Sequence, residues 1–417
     1  MKPKYATLLI VMFAWMADSG DSLLYSYVIG SVAKEWNITP AMAASIGFLP
    51  MAAAALGGPL FGYIADRFGR KASLQASVLI VAISSLCVAF AQNPTQMVLA
   101  RILVGLVLGG VWVAGMTLVS ETWDSSSRGK AVAVIQVGFP LGYLYASLCT
   151  YFVAPSYGWR GAFAACAIPP IIIALLIRYY VDESPVWLNA RFRGTALQRN
   201  KDAVPIQELF SPEHAKKVIV ASLVAFLGMY GYWAVMTWIP SYLAVVGFNA
   251  TQIPLWTFYI LTGAVVGYLM HGAVGDRFGR RSAFALFFVA VALMAIIFGL
   301  VPVYLHETHG SNAAKAAILT IGPLLACSTG YFSGYGAYYN ELFPTRIRGS
   351  ASGFSFNVGR IGTAIGPGIT GALAASFGVG GALSTASLAF VLCALLIYLL
   401  PETAGKPLEP EMAKVRT

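Results

Sequence analysis

The sequence predicts an all-α membrane protein: twelve transmembrane helices in two similar, pseudo-symmetric six-helix bundles. Three observations carry that expectation. Of 417 residues, 58% are hydrophobic and only 11% are charged, whereas a soluble domain keeps about a quarter of its residues charged. Apolar stretches recur twelve times along the chain. A ten-residue connecting segment occurs twice.

The twelve stretches lie near residues 6–33, 41–65, 72–91, 95–120, 129–154, 160–180, 217–246, 251–275, 282–304, 313–340, 350–376 and 380–400. Each approaches or exceeds the ~20 apolar residues that cross a bilayer as a helix. The longer ones imply tilt, or ends that project past the headgroups. The chain opens Met1-Lys-Pro-Lys and turns apolar at once. Asp18 and Asp21 interrupt that first stretch, no clean small-x-small cleavage site follows, and the run is too long for a signal peptide. A retained first helix is expected.

The formal charge of +10 is explained by where the cations fall. Of 27 Lys and Arg residues, Lys34, Arg160 and Lys315 lie on one set of connecting segments, Arg101 and Arg360 lie inside helices, and the other 22 lie on the alternate set and the two ends. Cytoplasmic segments retain Lys and Arg, so both termini are expected in the cytoplasm of a multi-pass protein of a bacterial inner membrane. The basic balance follows from topology and is no evidence for a nucleic-acid partner. The five cysteines sit inside apolar stretches without metal-ligand spacing, which suits small buried thiols.

Residues 62–71 read Gly-Tyr-Ile-Ala-Asp66-Arg67-Phe-Gly-Arg70-Lys, and residues 272–281 read Gly-Ala-Val-Gly-Asp276-Arg277-Phe-Gly-Arg280-Arg, an offset of 210. Glu121 with Arg128-Gly129 recurs as Glu341 with Arg348-Gly349, an offset of 220. Two matched pairs at nearly one offset indicate a parallel duplication. The halves are expected at 1–180 and 217–417, joined by a polar linker at 181–216. That linker, with Arg191, Arg193, Arg199, Lys201, Asp202, Glu208 and Glu213, reads as a tether and topology anchor, or as a regulatory segment.

Of the 17 acidic residues, Asp18 and Asp21 alone fall at mid-depth. Asp18 lies ~18 Å along its helix, where a charged side chain costs at least ~2.5–3.5 kcal/mol. The pair shares one helix face, and mutual repulsion favours keeping a proton on one of them. They read as proton carriers, or as one structural carboxylate bonded to a neighbouring helix. Arg360 lies ~16 Å along the eleventh helix. Its planar guanidinium suits a carboxylate, with Asn357 on the same face. It reads as the anchor for an anionic substrate, or as an ion-pair partner of Asp18 or Asp21 across the halves; both can hold in turn.

The repeated G-x-x-x-D-R-x-G-R-[KR] segment resembles the signature loop of the major facilitator superfamily, and the resemblance covers the whole chain. Arg101-x-x-x-Gly105, Gly158-Trp159-Arg160, Asp182-Glu183-Ser184-Pro185, Glu341-Leu-Phe-Pro344-Thr345 with Arg348-Gly349, and Pro401-Glu402-Thr403 add to it. Asp18-Ser-Gly-Asp21, Gly231-Tyr232-Trp233 with Trp238-Ile-Pro240, and Asn357-Val-Gly-Arg360 look like the aromatic-acid and sialate/lactate proton symporter families. Helix seven lacks the paired glutamines of sugar porters. Gly138-Phe-Pro140-x-Gly142 only loosely approaches the fifth helix of drug antiporters.

The resemblance implies the major facilitator fold and a secondary active transporter. Its expected activity is proton-coupled uptake of a small organic monocarboxylate by alternating access, as a monomer, with protons as the coupling ion and no other cofactor. Arg101 occupies a position tied to proton coupling in some members and to structure in others. Helices one, four, five, seven, eight, ten and eleven would line the cavity, offering Trp112, Tyr143, Tyr230, Tyr331 and Tyr335 for an organic anion, or simply for helix packing. Asp66, Arg67, Arg70, Glu121 and Arg128, with Asp276, Arg277, Arg280, Glu341 and Arg348, would form gating charge networks; topology anchoring explains the arginines but not the repeated aspartates. A facilitator or exporter of a sugar or neutral drug, and a non-transporting membrane sensor, are the alternatives. No metal-ligand cluster, Gly-rich phosphate loop or nucleophile–base pairing supports an enzyme; His271 reads as structural.

Overall fold

The computed structural model describes residues 3–194, 206–249 and 252–408. The first four spans are single helices: α1 (Pro3–Trp36), α2 (Pro40–Phe68), α3 (Arg70–Ala89) and α4 (Pro94–Thr122). The fifth is split into α5 (Arg128–Gln136) and α6 (Gly138–Phe152). Pro140 is the cause, because it has no N–H to offer the Gln136 carbonyl one turn earlier. The sixth is α7 (Ala154–Tyr180), which turns at Gly158, φ 64°, before entering the span.

The second half repeats this plan. After α8 (Pro185–Gly194) come α9 (Ala215–Met236) with α10 (Ile239–Val245), then α11 (Ile253–Phe278) and α12 (Arg280–His309). The tenth span is α13 (Ser311–Ser328) with α14 (Phe332–Leu342). The long α15 (Arg348–Thr385) holds the eleventh span and, beyond a break at Gly378 with φ 68°, the start of the twelfth. That span ends in α16 (Ser387–Leu396). Helices are the only open architecture that satisfies every backbone N–H and C=O without water. Large apolar side chains such as Leu56, Leu99, Leu255 and Leu388 stay exposed around the bundle and form its lipid-facing belt.

A single residue turns α2 into α3, and another turns α11 into α12: Gly69 with φ 110° and Gly279 with φ 102°. L-residues rarely adopt this backbone, so both copies of the repeated loop keep glycine there. The halves meet along α2 against α15 and α11 against α5. A Cβ on Gly62 would lie 2.4 Å from the Gly349 carbonyl oxygen, and one on Gly272 would lie 2.7 Å from that of Gly129. The helix backbones therefore cross in direct contact at two repeat-related points, as small residues allow in membranes.

Within the described part of the linker, residues 185–194 and 206–210 are helical. Residues 185–194 fold as α8, and the buried Trp187 donates its indole N–H to the Asp66 carbonyl at 2.8 Å. Arg199, Lys201 and Asp202 lie outside the described residues.

Candidate functional site

The end of the bundle bearing the repeated loops, here the motif end, is closed by two matching charge clusters. Glu121 accepts from Arg70 Nε at 3.0 Å and Nη2 at 3.1 Å in its own half. It also accepts from Ser184 Oγ, and from Arg348 in the other half. Glu341 repeats the scheme with Arg280 Nε at 3.0 Å, Arg280 Nη2 at 2.8 Å, Thr403 Oγ1 at 2.6 Å and, across the halves, Arg128 Nη1 at 2.9 Å. Both clusters are buried, so bidentate geometry and extra hydrogen bonds must offset desolvation.

The aspartates of the motif do something different. Asp66 accepts the backbone N–H groups of Gly349 and Ser350, at 2.9 and 2.8 Å. Asp276 accepts those of Gly129 and Lys130, both at 2.8 Å. These are first-turn N–H groups of α15 and α5, which have no partner within their own helices. Each carboxylate thus caps a helix of the opposite half, where the helix dipole favours negative charge.

A cavity lies at the centre of the bundle. It has a volume of about 60 Å³, with Trp15, Gln136, Phe139, Tyr232, Phe332 and Arg360 on its walls. A larger vestibule of about 360 Å³ shares Ser22, Met51, Trp233 and Thr363 with it and runs toward Tyr27 and Gly47, away from the motif end. On this measure a water needs about 10–15 Å³, so the inner chamber holds a few waters or one compact ligand. The molecule is closed at the motif end and hollow toward the other.

The intramembrane charges divide into two groups. Asp21 is fully buried; it accepts from Ser85 Oγ and lies 3.8 Å from Arg101 Nη1. Arg101 donates to the Asp21 and Ser22 carbonyls at 3.2 and 3.1 Å and stacks 5.1 Å from the Tyr25 ring centre. Asp18 is 1% exposed, and neither carboxylate oxygen has a hydrogen-bond partner among the described residues. The charges that act on it are Asp21 and, from the other half, Arg360. Arg360 donates Nε to Asn357 Oδ1 at 2.8 Å, and its Nη1 approaches Met51 Sδ at 3.8 Å. The rest of its guanidinium edge is available to the chamber it lines.

The sequence profile described as Major Facilitator Superfamily matches residues 7–322 and 255–416. The chain belongs to the Major Facilitator Superfamily. It is a multi-pass membrane protein and not an enzyme. A probable 4-methylmuconolactone transporter of Cupriavidus pinatubonensis is 30% identical, over 95% of this chain and 90% of that one. A niacin transporter of Acinetobacter baylyi is 29% identical, over 97% of this chain and 95% of its own. A solved proton:xylose symporter, XylE, superposes with a TM-score of 0.79 at 20% identity, covering 97% of each chain, which speaks to the shared fold.

Within this superfamily fold, the sequence-predicted residues fall in distinct places. Arg360 lines the chamber, Tyr143 lines the vestibule, and Asp66, Arg70, Glu121, Arg128, Asp276, Arg280, Glu341 and Arg348 form the motif-end clusters; Asn357 is instead fully buried, packed on Gly58 of α2, where it holds Arg360 Nε without lining the chamber. Others are corrected. Arg67 and Arg277 are exposed and lie over Phe68 and Phe278, outside the clusters. One residue after the capping aspartate is a rotation of about 100° around the helix, which turns them away from the interface. Tyr331 and Tyr335 are fully buried and donate to the Gly228 and Val224 carbonyls of α9 at 2.9 and 3.3 Å. The neighbouring Phe332 faces the chamber instead. Tyr230 packs against the backbone of α15 at Gly362, while Tyr232 and Trp233 line the chamber. Trp112 stacks on Phe356 with ring centres 3.6 Å apart and backs the wall without forming it.

Sequence reasoning missed Trp15, Gln136, Phe139, Phe332 and Thr363. Gln136 carried a usable signal, since a polar amide inside an apolar span is expensive for the same reason a charge is. The aromatic residues carried none, because rings are common on every face of a membrane helix.

Proposed function

We propose that this protein is a secondary transporter that takes up a small organic monocarboxylate together with protons by alternating access. The observation that carries the reading is Arg360: a cation lining an aromatic and apolar chamber, within electrostatic reach of the unpartnered Asp18 carboxylate of the opposite half. A guanidinium fork fits a carboxylate, and flat rings fit an unsaturated or aromatic body. The relatives named for niacin and 4-methylmuconolactone support the same class.

Coupling follows from competition for one cation. While Asp18 is ionised, its field holds Arg360. A proton arriving through the vestibule neutralises Asp18 and leaves Arg360 to the substrate. A proton and a carboxylate enter together, so loading leaves the chamber's net charge unchanged, and the motif-end clusters then give way. The termini and the basic motif loops lie in the cytoplasm by the positive-inside rule, in the inner membrane of a bacterium, and the working unit is a monomer.

The test is uptake of radiolabelled single-ring carboxylic acids into proteoliposomes under an imposed pH gradient. Acid-outside vesicles should accumulate substrate above equilibrium, and Arg360→Ala should remove it. Uptake indifferent to the direction of the gradient would overturn proton coupling. Unchanged affinity in Arg360→Ala would overturn the anchor.

A further inference from the structure

The anchor Arg360 stands on the second half, but what aims it rests on the first. Asn357, one turn earlier on α15, is fully buried. Its Oδ1 accepts from Arg360 Nε at 2.8 Å, and its Nδ2 donates to the Gly353 carbonyl at 2.8 Å. Turning the amide over would set N–H against N–H and oxygen against oxygen, so the two bonds fix its orientation together. A guanidinium can offer a carboxylate either Nε with one Nη or the two Nη groups. With Nε given to Asn357, the Nη pair remains for the chamber that Arg360 lines. The approach of Nη1 to Met51 Sδ, at 3.8 Å, is a weak contact that a carboxylate displaces.

The seat of Asn357 is a glycine of the opposite half. A Cβ on Gly58 of α2 would lie 1.9 Å from Asn357 Nδ2 and 2.4 Å from its Cγ. The amide therefore fills the space that a side chain at position 58 would take. α2 is backed by α4 at the same level, where a Cβ on Gly109 would lie 2.5 Å from Gly58 N. The crossing of the helices does not itself require this pair. At the motif end the crossing residues are kept in both copies, Gly62 and Gly349 matching Gly272 and Gly129. Further along the same helices the match ends: Gly58 corresponds to Tyr268 at the offset of 210, and Asn357 to Val137 at the offset of 220. A buried amide is expensive inside a membrane. It occurs in the copy of the interface that carries Arg360, and an apolar residue takes its place in the copy that does not.

We infer that Asn357 is the positioning residue of the anion anchor, seated by Gly58 of the opposite half, and that the pair sets the chamber's selectivity for a carboxylate over an uncharged group of the same shape. Held by Asn357, Arg360 meets a planar carboxylate with its two Nη groups already aimed. Released from it, the long side chain regains its rotamers, and each binding event must order it again. A carboxamide offers one acceptor oxygen, and its NH2 opposes the second guanidinium N–H. It gains little from an aimed fork, so the difference between acid and amide measures the aim. This rests on the monocarboxylate reading above and deepens it by naming what makes the site selective.

The test is calorimetric titration of the purified full-length protein with benzoate and with benzamide, its uncharged isostere, at one pH near neutrality, the weaker ligand being read by displacement. The ratio of the two affinities is compared across the wild type, Arg360→Ala, Asn357→Leu and Gly58→Ala. The wild type should favour benzoate about thirtyfold or more, and Arg360→Ala, which removes the fork, should bring the ratio to within about threefold of unity. Asn357→Leu keeps the shape of the amide and removes the acceptor. Gly58→Ala keeps the acceptor and takes its space. Each should lower the ratio about fivefold or more, by weakening benzoate while leaving benzamide within about twofold. Retained benzamide binding shows that a variant is folded. If one of the two does not fold, the other carries the comparison together with Asn357→Ala, which only removes atoms. A wild-type ratio in folded Asn357→Leu would overturn the positioning role, and one in folded Gly58→Ala would overturn the seat; both leave the anchor standing. Benzoate and benzamide weakening in step would reduce the pair to packing and overturn the inference as well. A wild type that binds neither ligand, or both equally, would remove the monocarboxylate reading itself, and this inference with it.

Discussion

The carboxylate of Asp66, in the first half of the chain, accepts the backbone N–H of Gly349, in the second, at 2.9 Å. Its repeat counterpart Asp276 accepts that of Gly129 at 2.8 Å. The duplicated motif works as a reciprocal clasp in which each half caps a helix of the other. Opening the motif end must break both caps together with the ion pairs that cross from Arg348 to Glu121 and from Arg128 to Glu341.

Replacing both aspartates, Asp66→Ala with Asp276→Ala, should populate the open motif end. Each lost cap is worth roughly 1 kcal/mol, so the pair shifts the conformational equilibrium about tenfold or more. Spin labels at the exposed positions 67 and 277 would report it by electron–electron double resonance. The distance distribution should broaden to longer values, and an unchanged distribution would contradict the clasp.

Glu121→Ala strips two buried guanidinium groups, Arg70 and Arg348, of their shared carboxylate. Removing one member of a buried pair costs about 3–5 kcal/mol. A marked drop in thermal unfolding temperature in detergent is expected. Glu121→Gln should recover part of it by keeping an acceptor. A melting temperature within a degree of wild type would show that the cluster contributes little.

Asp18→Asn and Asp21→Asn should separate two roles. Asp18 has no hydrogen bond to lose among the described residues, so its amide variant should fold normally and exchange substrate across the membrane while failing to accumulate it under a pH gradient. Asp21→Asn removes the carboxylate beside the buried Arg101, so its principal effect should be on stability, by about 3–5 kcal/mol. Counterflow and gradient-driven uptake, measured side by side, distinguish them. Gradient-driven accumulation by Asp18→Asn would exclude it as the coupling group.

Glu402, just beyond the twelfth span, supplies a pH effect of definite sign. Burial alone would raise its pKa, but the backbone N–H groups of Ala404, Arg280, Arg281 and Thr403 outweigh it and hold the carboxyl below its usual value. A depressed folded pKa contributes stability above the unfolded value of about 4.3 and loses it as pH falls through the folded one. The melting temperature of the wild type should therefore decline more steeply below about pH 4.3 than that of Glu402→Gln. Parallel pH profiles would rule this contribution out.

The repeat makes clear where the halves agree and where they part. At the offset of 220, Glu121 matches Glu341 and Arg128 matches Arg348, and the motif-end clusters are nearly superimposable in their bonding. At the same offset Gln136 faces Phe356, and Pro140 faces Arg360. The clasp is symmetric because opening and closing require matched ends. The chamber is asymmetric: Arg360, the cation on its wall, has Pro140 as its repeat counterpart.

The span count, the duplication, the clustered motif charges and the deep placement of Asp18, Asp21 and Arg360 were legible from residue order. They depend on partition into lipid and on spacing along the chain, both of which are local. Which aromatic faces the chamber was not legible. Tyr331 and Phe332 are neighbours in sequence and in chemistry, yet one is locked to α9 and the other forms the wall. Helix rotation and tilt separate them, and those are set by close backbone crossings such as Gly62 on Gly349, contacts between residues hundreds of positions apart that only the folded chain brings together.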